Sequence, residues 1–146
     1  MGLRVRAGLL GGAGVAVIFG ASGAAAYAVT VSYSTVGQFN TGGHVYDNQA
    51  SIGVGSVNFA STGTWTDNNQ NVPSGWIGSE GRMVKSNGAL CATTGMLYMP
   101  GAGSGWNVAT NTICGHGYYF SQGKSAGWNG NGYNYYYTFR TPNLYL

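Results

Sequence analysis

Charged side chains are scarce in this chain. Its 146 residues include only six Lys and Arg and three Asp and Glu. Helices usually cover their solvent-facing side with Glu, Lys, Gln and Arg, so this composition argues against amphipathic helices. Two of the basic residues, Arg4 and Arg6, lie near the N-terminus, and without them the net charge is +1. A nucleic-acid-binding protein needs clustered basic residues to neutralise phosphates, so we expect no nucleic-acid partner.

Residues with the spacing of metal or redox sites are also lacking. The sequence contains no Cys-x-x-Cys and no His-x-x-x-His, two patterns typical of redox and zinc sites. The three acids, Asp47, Asp67 and Glu80, are separated along the chain, and nothing in the sequence pairs two of them for glycoside hydrolysis. We therefore expect no metal, no cofactor and no catalysis. The alternative is a small hydrolase that uses His44 or His116 as a base.

The N-terminal residues contain the three parts of a secretory signal. Arg4 and Arg6 provide a positive start, and residues 7–26 carry no charge. Ala26-Tyr27-Ala28 fits the small-x-small rule for signal peptidase, with cleavage before Val29. The pattern predicts export and an extracellular mature protein.

This interpretation divides the chain into a signal peptide, residues 1–28, and one secreted domain, residues 29–146. A retained membrane anchor is the alternative, because the uncharged stretch reaches the length of a membrane span. However, no Lys or Arg follows it until Arg82, so no positive residue would stop its transfer. We expect no membrane contact after cleavage.

The remaining composition favours strands. Tyr, Thr, Val, Trp and Phe are abundant and suit a pleated sheet, while Gly and Asn recur at turn-like intervals. Eight or nine short segments with regular spacing predict an all-β domain. We expect a small antiparallel β-sandwich, immunoglobulin-like or jelly-roll-like, and a small β-barrel is the alternative.

Two local patterns give specific expectations about the strands. Asn87-Gly88 is the favoured pair for a two-residue type I′ turn, and this turn would place Val84 opposite Cys91. Between Ile52 and Ala60 the apolar alternation changes phase beside Gly55. That change predicts a β-bulge within one strand.

Cys91 and Cys114 are the only cysteines of the chain. In an exported domain, two cysteines most simply pair with each other. Their disulfide would close a loop whose entropy is worth about 3 kcal/mol of stability.

Aromatic side chains are the remaining functional signal. In the last predicted strand, Tyr133 to Arg140, alternation places one set of rings (Tyr133, Tyr135, Tyr137 and Phe139) in the core. Tyr136 would then point outward beside Asn134 and Arg140. Exposed rings bind sugars or partner proteins, so the candidate binding residues are Tyr136, Asn134, Arg140, Trp106, Trp128 and His116.

Three stretches of the sequence are distinctive: the leader ending Ala26-Tyr27-Ala28, the turn Asn129-Gly-Asn-Gly-Tyr133, and the segment Thr138-Phe-Arg-Thr-Pro142. In these stretches the chain resembles small exported proteins of high-GC Gram-positive bacteria such as streptomycetes. The resemblance implies export and a compact β domain.

The sequence thus predicts a secreted, non-catalytic binding or adaptor module. Its partner would be a protein or a cell-envelope glycan, and one form of the hypothesis is a subunit of a secreted assembly. A secreted antibacterial protein or enzyme inhibitor is the alternative, with activity in the loops at residues 101–105 or 115–117.

Overall fold

The structure is a computed structural model that describes residues 14–16 and 29–146. The regular elements of these residues are all β-strands. Their bounds are β1 Gly14–Ala16, β2 Val29–Tyr33, β3 Gly37–Thr41, β4 His44–Val54, β5 Phe59–Thr66, β6 Ile77–Glu80, β7 Arg82–Lys85, β8 Leu90–Thr93, β9 Leu97–Tyr98, β10 Gly105–Thr110, β11 Tyr118–Ser121, β12 Lys124–Trp128, β13 Tyr133–Tyr137 and β14 Leu144–Tyr145.

The predicted signal peptide lies mostly outside the described residues, so it stays a prediction. Its described part is β1, which pairs antiparallel with the first residues of β2. Cleavage before Val29 would remove β1 and leave β2 at the edge of its sheet.

The first sheet is antiparallel and is built around the long strand β4. β5 pairs along one edge of β4, and β10 pairs beyond β5. The other edge of β4 is shared, with β3 beside its first half and β2 beside its second half. Gly42 and Gly43, with φ of 58° and 79°, make the turn between β3 and β4. A two-residue turn of this kind needs positive φ at both positions, which glycine adopts without strain.

The other eight strands form two four-stranded sheets that are the halves of one bent layer. The order is β13-β12-β6-β9 in the first half and β14-β11-β7-β8 in the second. Every strand of one half continues along the chain into the matching strand of the other half, as β6 does into β7. We call the line between the halves the crease. This bent layer packs on the first sheet, so the described residues form an all-β sandwich and not a closed barrel, as predicted.

Threonine side chains complete the backbone hydrogen bonds at the crease. A bend in a sheet leaves N–H groups without their ladder partners, and such groups must be bonded when they are buried. Here each of three N–H groups donates to a threonine Oγ1: Gly81 to Thr94 at 3.0 Å, Gly123 to Thr138 at 2.9 Å, and Ser121 to Thr141 at 2.9 Å.

The core between the layers consists of two apolar clusters and a polar layer. One cluster surrounds Tyr46 and Ile77, and the other surrounds Ile52 and Met83. Most of the polar side chains between them bond to one another, as is usual for buried polar groups, but Asn48 Oδ1 and Thr62 Oγ1 have no hydrogen-bond partner among the described residues. Thr64 Oγ1 is central to this layer, at 2.9 Å from Ser79 Oγ and 2.6 Å from Ser125 Oγ, and Asn48 Nδ2 donates to Ser125 Oγ at 3.2 Å.

The hairpin between β7 and β8 differs from the predicted type I′ turn. The N–H of Gly88 donates to the carbonyl oxygen of Lys85 at 2.8 Å, and Gly88, with φ of 90°, is alone in the left-handed region within this turn. The loop is therefore a three-residue one that ends in a left-handed glycine. Val84 pairs with Leu90, and Cys91 becomes the extra residue where the register shifts.

The predicted bulge beside Gly55 is wrong as well. β4 ends at Val54 and β5 begins at Phe59, and the two strands pair antiparallel. The change of phase in the apolar pattern therefore marks the turn of a hairpin, with Val57 exposed near its tip.

The predicted disulfide is confirmed. Cys91 and Cys114 are bonded, with their Cα atoms 5.8 Å apart. The bond ties β8 to the segment that follows β10. Structural disulfides form in oxidising compartments, which is compatible with the predicted export. Among the residues that the structure describes, no helix has the length and hydrophobicity to cross a membrane.

Candidate functional site

The two faces of β13 are the reverse of the prediction. The ring of Tyr136 packs inward on Phe39, with 4.1 Å between ring centroids, and its hydroxyl donates to the Asn40 carbonyl oxygen at 3.2 Å. Tyr135 and Tyr137 point outward and are 55% and 59% exposed. The prediction that Tyr136 points outward is therefore wrong. Its ring stacks on Phe39 of β3, a residue that is distant in sequence and is brought close only by folding.

Asn134 projects to the same side of β13 as Tyr136 but lies at the end of the sandwich, where it is exposed. Its Nδ2 donates to Thr41 Oγ1 at 2.9 Å, and its Oδ1 accepts from Asn129 Nδ2 at 3.0 Å. Both groups of the side-chain amide are thus bonded within the protein, so Asn134 is a structural residue in this arrangement.

Three other candidates lie apart from one another. The guanidinium of Arg140 is 3.8 Å from the Phe120 ring centroid, on the second half of the bent layer. Trp106 is half-buried on β10 against the Tyr46 cluster. The Nδ1 of His116 lies 3.3 Å from the carbonyl oxygen of Leu146. The structure does not gather these three side chains into one site.

Trp128 is the candidate that lies in an aromatic cluster at the surface. Tyr133 packs between Trp128 and Tyr98, at centroid distances of 5.2 Å and 4.5 Å. The hydroxyls of Tyr98 and Tyr135 are 3.2 Å apart. We call the outer surface made by β9, β12 and β13 the aromatic face, and it consists of Tyr98, Trp128, Tyr133, Tyr135 and Tyr137.

Small residues beneath the rings explain why they cluster. The two central strands beneath the aromatic face are β12 and β6. They present Ala126 and Gly78 to the outer surface, and these two residues are opposite each other. A Cβ on Gly78 would lie 2.9 Å from Cδ1 of Tyr98, so the Tyr98 ring covers the bare backbone of β6. Rings from the two flanking strands can then meet above a flat floor.

A charged group borders the aromatic face beside Tyr137. Glu80 forms ion pairs with Arg82 at 3.6 Å and Lys124 at 3.4 Å, and Thr93 Oγ1 donates to it at 2.8 Å. Both cations also lie over the Tyr137 ring, at 5.6 Å and 5.4 Å from its centroid. Each cation–π contact is worth about 0.5–1 kcal/mol at an exposed site, so together these groups hold the Tyr137 ring in place.

The pKa of Tyr98 is raised to about 12 within this cluster. Burial is the largest cause, because it disfavours the charged phenolate. The hydrogen bond with Tyr135 and the nearby phenol groups of Tyr135 and Tyr133 raise the pKa further. The neutral form of Tyr98 is therefore the one that the folded protein stabilises.

We expect Tyr98 to ionise later than an ordinary tyrosine on alkaline titration. Its pKa rises from 10.0 in the unfolded chain to about 12 in the folded protein. The contribution of neutral Tyr98 to the stability of the fold is therefore complete below pH 10 and is lost as the pH approaches 12. Tyr135→Phe removes the hydrogen bond and one phenolate, so it should lower the highest transition in the phenolate absorbance. Tyr145→Phe, in the other half of the layer, is the matched control. Identical high-pH transitions in both variants would contradict this account of the cluster.

One serine-hydrolase pattern occurs in the chain, and the structure gives it a different role. Gly123-Lys-Ser-Ala-Gly127 matches Gly-x-Ser-x-Gly, which in hydrolases places an exposed serine on a sharp turn between a strand and a helix. Here Ser125 lies in the middle of β12, fully buried. Its hydroxyl bonds to Thr64 and Asn48 in the polar layer, so it has the position of a core residue.

Within residues 29–146, no three His, Cys, Asp or Glu side chains come together as a possible metal site. Sequence reasoning found Trp128 but missed the rest of the aromatic face. Tyr98 lies in a two-residue strand with no periodic pattern, and its role depends on Gly78. A ring-rich strand suggests a buried face, so the sequence predicts Tyr133, Tyr135 and Tyr137 in the core, whereas all three point to the outer surface.

Comparison with known proteins adds no functional information. No family model, no curated protein and no solved structure matches this chain. The surface of the protein itself therefore carries the functional information.

Proposed function

We propose that this protein is an exported, non-catalytic module that binds a glycan on its aromatic face. The observation that carries the proposal is the cluster of five rings on the outside of β9, β12 and β13, in which Tyr135 and Tyr137 are more than half exposed. Contiguous exposed apolar surface on a monomer is typical of a binding site.

The chemistry of the face suits a sugar. Four of its five rings are tyrosines, so the face carries phenol hydroxyls as well as aromatic rings. Tyrosine is favoured where one part of a contact is apolar and the other is wet. A pyranose offers the same combination, since CH groups lie on its faces and hydroxyls lie around its rim.

A binding role without catalysis is supported by the positions of two of the three carboxylates, those of Glu80 and Asp47. Glu80, the acid that borders the aromatic face, is held by two ion pairs and a hydrogen bond. Asp47 accepts a hydrogen bond from Gln38 on the outer surface of the first sheet, on the far side of the sandwich. The carboxylates of Glu80 and Asp47 therefore cannot act on the same glycosidic bond, as the paired carboxylates of a glycosidase must.

Replacing both Tyr135 and Tyr137 with Ala should weaken binding by about tenfold for each ring, because one aromatic contact is worth up to about 1.5 kcal/mol. The assay is sedimentation with peptidoglycan, chitin or cellulose particles, followed by calorimetry with soluble hexasaccharides of the bound type. Both side chains are exposed, so the fold should be retained, as a denaturation curve can verify.

Tyr145→Ala is the matched control, since Tyr145 is equally exposed, at 56%, but lies on the second half of the bent layer. Its affinity should equal that of the wild type. Equal affinity in the Tyr135→Ala/Tyr137→Ala protein, or no binding to any of the three particles, would overturn the proposal. Capture of a protein partner that depends on the same two rings would favour a protein ligand instead.

Export is part of the proposal because of the N-terminal signal pattern. The sample for these experiments should be recovered from culture medium, and mass spectrometry should find Val29 as its first residue. Recovery of the chain only inside cells, with residues 1–28 attached, would contradict export.

A further inference from the structure

The outer surface of the first sheet contains a cleft that the aromatic face does not use. It is open to solvent, and its volume is about 410 Å³. The outward side chains of β5, Phe59 and Trp65, stand at two of its sides. Tyr33 from β2 is 53% exposed and stands beyond β4. We call this feature the cleft, and its walls are Tyr33, Gln49, Phe59, Trp65 and Asn107.

The floor of the cleft is made of small residues. Ser51 and Ser61 are opposite each other on β4 and β5, and their hydroxyls are 2.6 Å apart. Gly63 follows on β5, and a Cβ there would lie 3.4 Å from the Trp65 ring. The floor therefore lies close to the backbone of β4 and β5, and its two serine hydroxyls are already hydrogen-bonded to each other. A ligand would have to bind chiefly to the walls.

The walls combine ring faces with neutral amides. The Nε2 group of Gln49 donates to the Ser34 carbonyl oxygen at 2.8 Å, which fixes the side chain, and within the described part of the chain no hydrogen bond is made to its Oε1. Asn107 is exposed at the opposite wall on β10. None of the side chains that line the cleft is charged. Aromatic rings with a few fixed neutral polar groups are typical of sites for neutral polar ligands.

We propose that the cleft is a second binding site for a neutral oligosaccharide, and that the protein cross-links two glycan chains. This inference rests on the proposed function of the aromatic face. The cleft lies on the outer surface of the first sheet, and the aromatic face lies on the outer surface of the bent layer, with the packed core between them. Two sites on opposite sides of a sandwich can engage separate chains, one on each side.

The test measures bridging. Particles of the polysaccharide that the protein binds are coated with protein and washed, and then mixed with a fluorescent hexasaccharide, N-acetylchitohexaose or cellohexaose. Wild-type protein should retain the hexasaccharide on the particles, and calorimetry should find two hexasaccharides per chain. Trp65→Ala should reduce retention by about tenfold while sedimentation with the particles stays unchanged. Tyr33→Ala, which changes an exposed ring, serves as a second variant if Trp65→Ala is unstable.

The outcomes separate the two proposals. Loss of bridging in the cleft variants, with particle binding retained, supports the second site. Full bridging in both cleft variants, or one hexasaccharide per wild-type chain, overturns the proposal of a second site. Neither result contradicts glycan binding by the aromatic face. Absence of any particle binding by the wild type overturns both. Tyr145→Ala should behave as the wild type throughout.

Discussion

Gly123→Ala is expected to destabilise the protein by about 3 kcal/mol or more, at the upper end for overpacked cores. A Cβ at this position would overlap Oγ1 of Thr62 and lie 2.6 Å from the carbonyl oxygen of Glu80. Thr62 is fully buried, and the oxygen belongs to the backbone of β6, so neither can move aside freely. The backbone of Gly123, the residue just before β12, thus lies close against a side chain of the first sheet, at the crease. Urea denaturation monitored by tryptophan fluorescence measures the change.

Gly132→Ala is the matched control. A Cβ on Gly132 would meet open space, and the residue does not have a left-handed φ. We expect its free energy of unfolding to equal that of the wild type or to rise slightly, since alanine restricts the unfolded chain. Equal denaturation midpoints for the Gly123→Ala and Gly132→Ala proteins would show that the crease is not tightly packed.

Removing the disulfide with Cys91→Ser and Cys114→Ser is expected to cost about 3 kcal/mol. The bond joins residues 23 apart in sequence, and opening it returns the entropy of that loop to the unfolded chain. This amount is a large part of the stability of a typical domain. The free energy of unfolding of the double variant, compared with the wild type under oxidising conditions, gives the value.

Reduction of the wild type provides the control, because it opens the bond but keeps both cysteine side chains. Cys91 packs against the Ile52 cluster, so a larger loss in the double variant than in the reduced protein would measure that contact. A double variant that unfolds at the same urea concentration as the oxidised wild type would refute the stabilising role of the bond.

The fold class could be predicted because it depends on composition. A chain with few charges and many β-branched and aromatic residues cannot make ordinary surface helices, and strands are what remain. The pairing of Cys91 with Cys114 followed from their number. The detail of the β7–β8 hairpin did not, because Asn87-Gly88 suits more than one turn and the choice between them shifts the register by one residue.

The candidate site shows a different limit. Strand alternation divides β13 into two faces, but both faces carry rings, so the pattern cannot say which one is buried. Tyr136 faces inward because Phe39 lies beneath it. Tyr98 belongs to the aromatic face because Gly78 leaves room for its ring. Both partners are distant in sequence, and a local pattern contains no information about them.

The sequence by itself determined the all-β fold class, the Cys91–Cys114 disulfide and the N-terminal pattern that predicts export. Each of these depends on which residue types are present and how many there are. Tertiary structure decided which rings are exposed and how the bent layer folds at its crease. It also placed the aromatic face and the cleft on opposite sides of the sandwich. These features arise from pairings between distant strands, where a glycine or a threonine on one strand sets the position of a side chain on another.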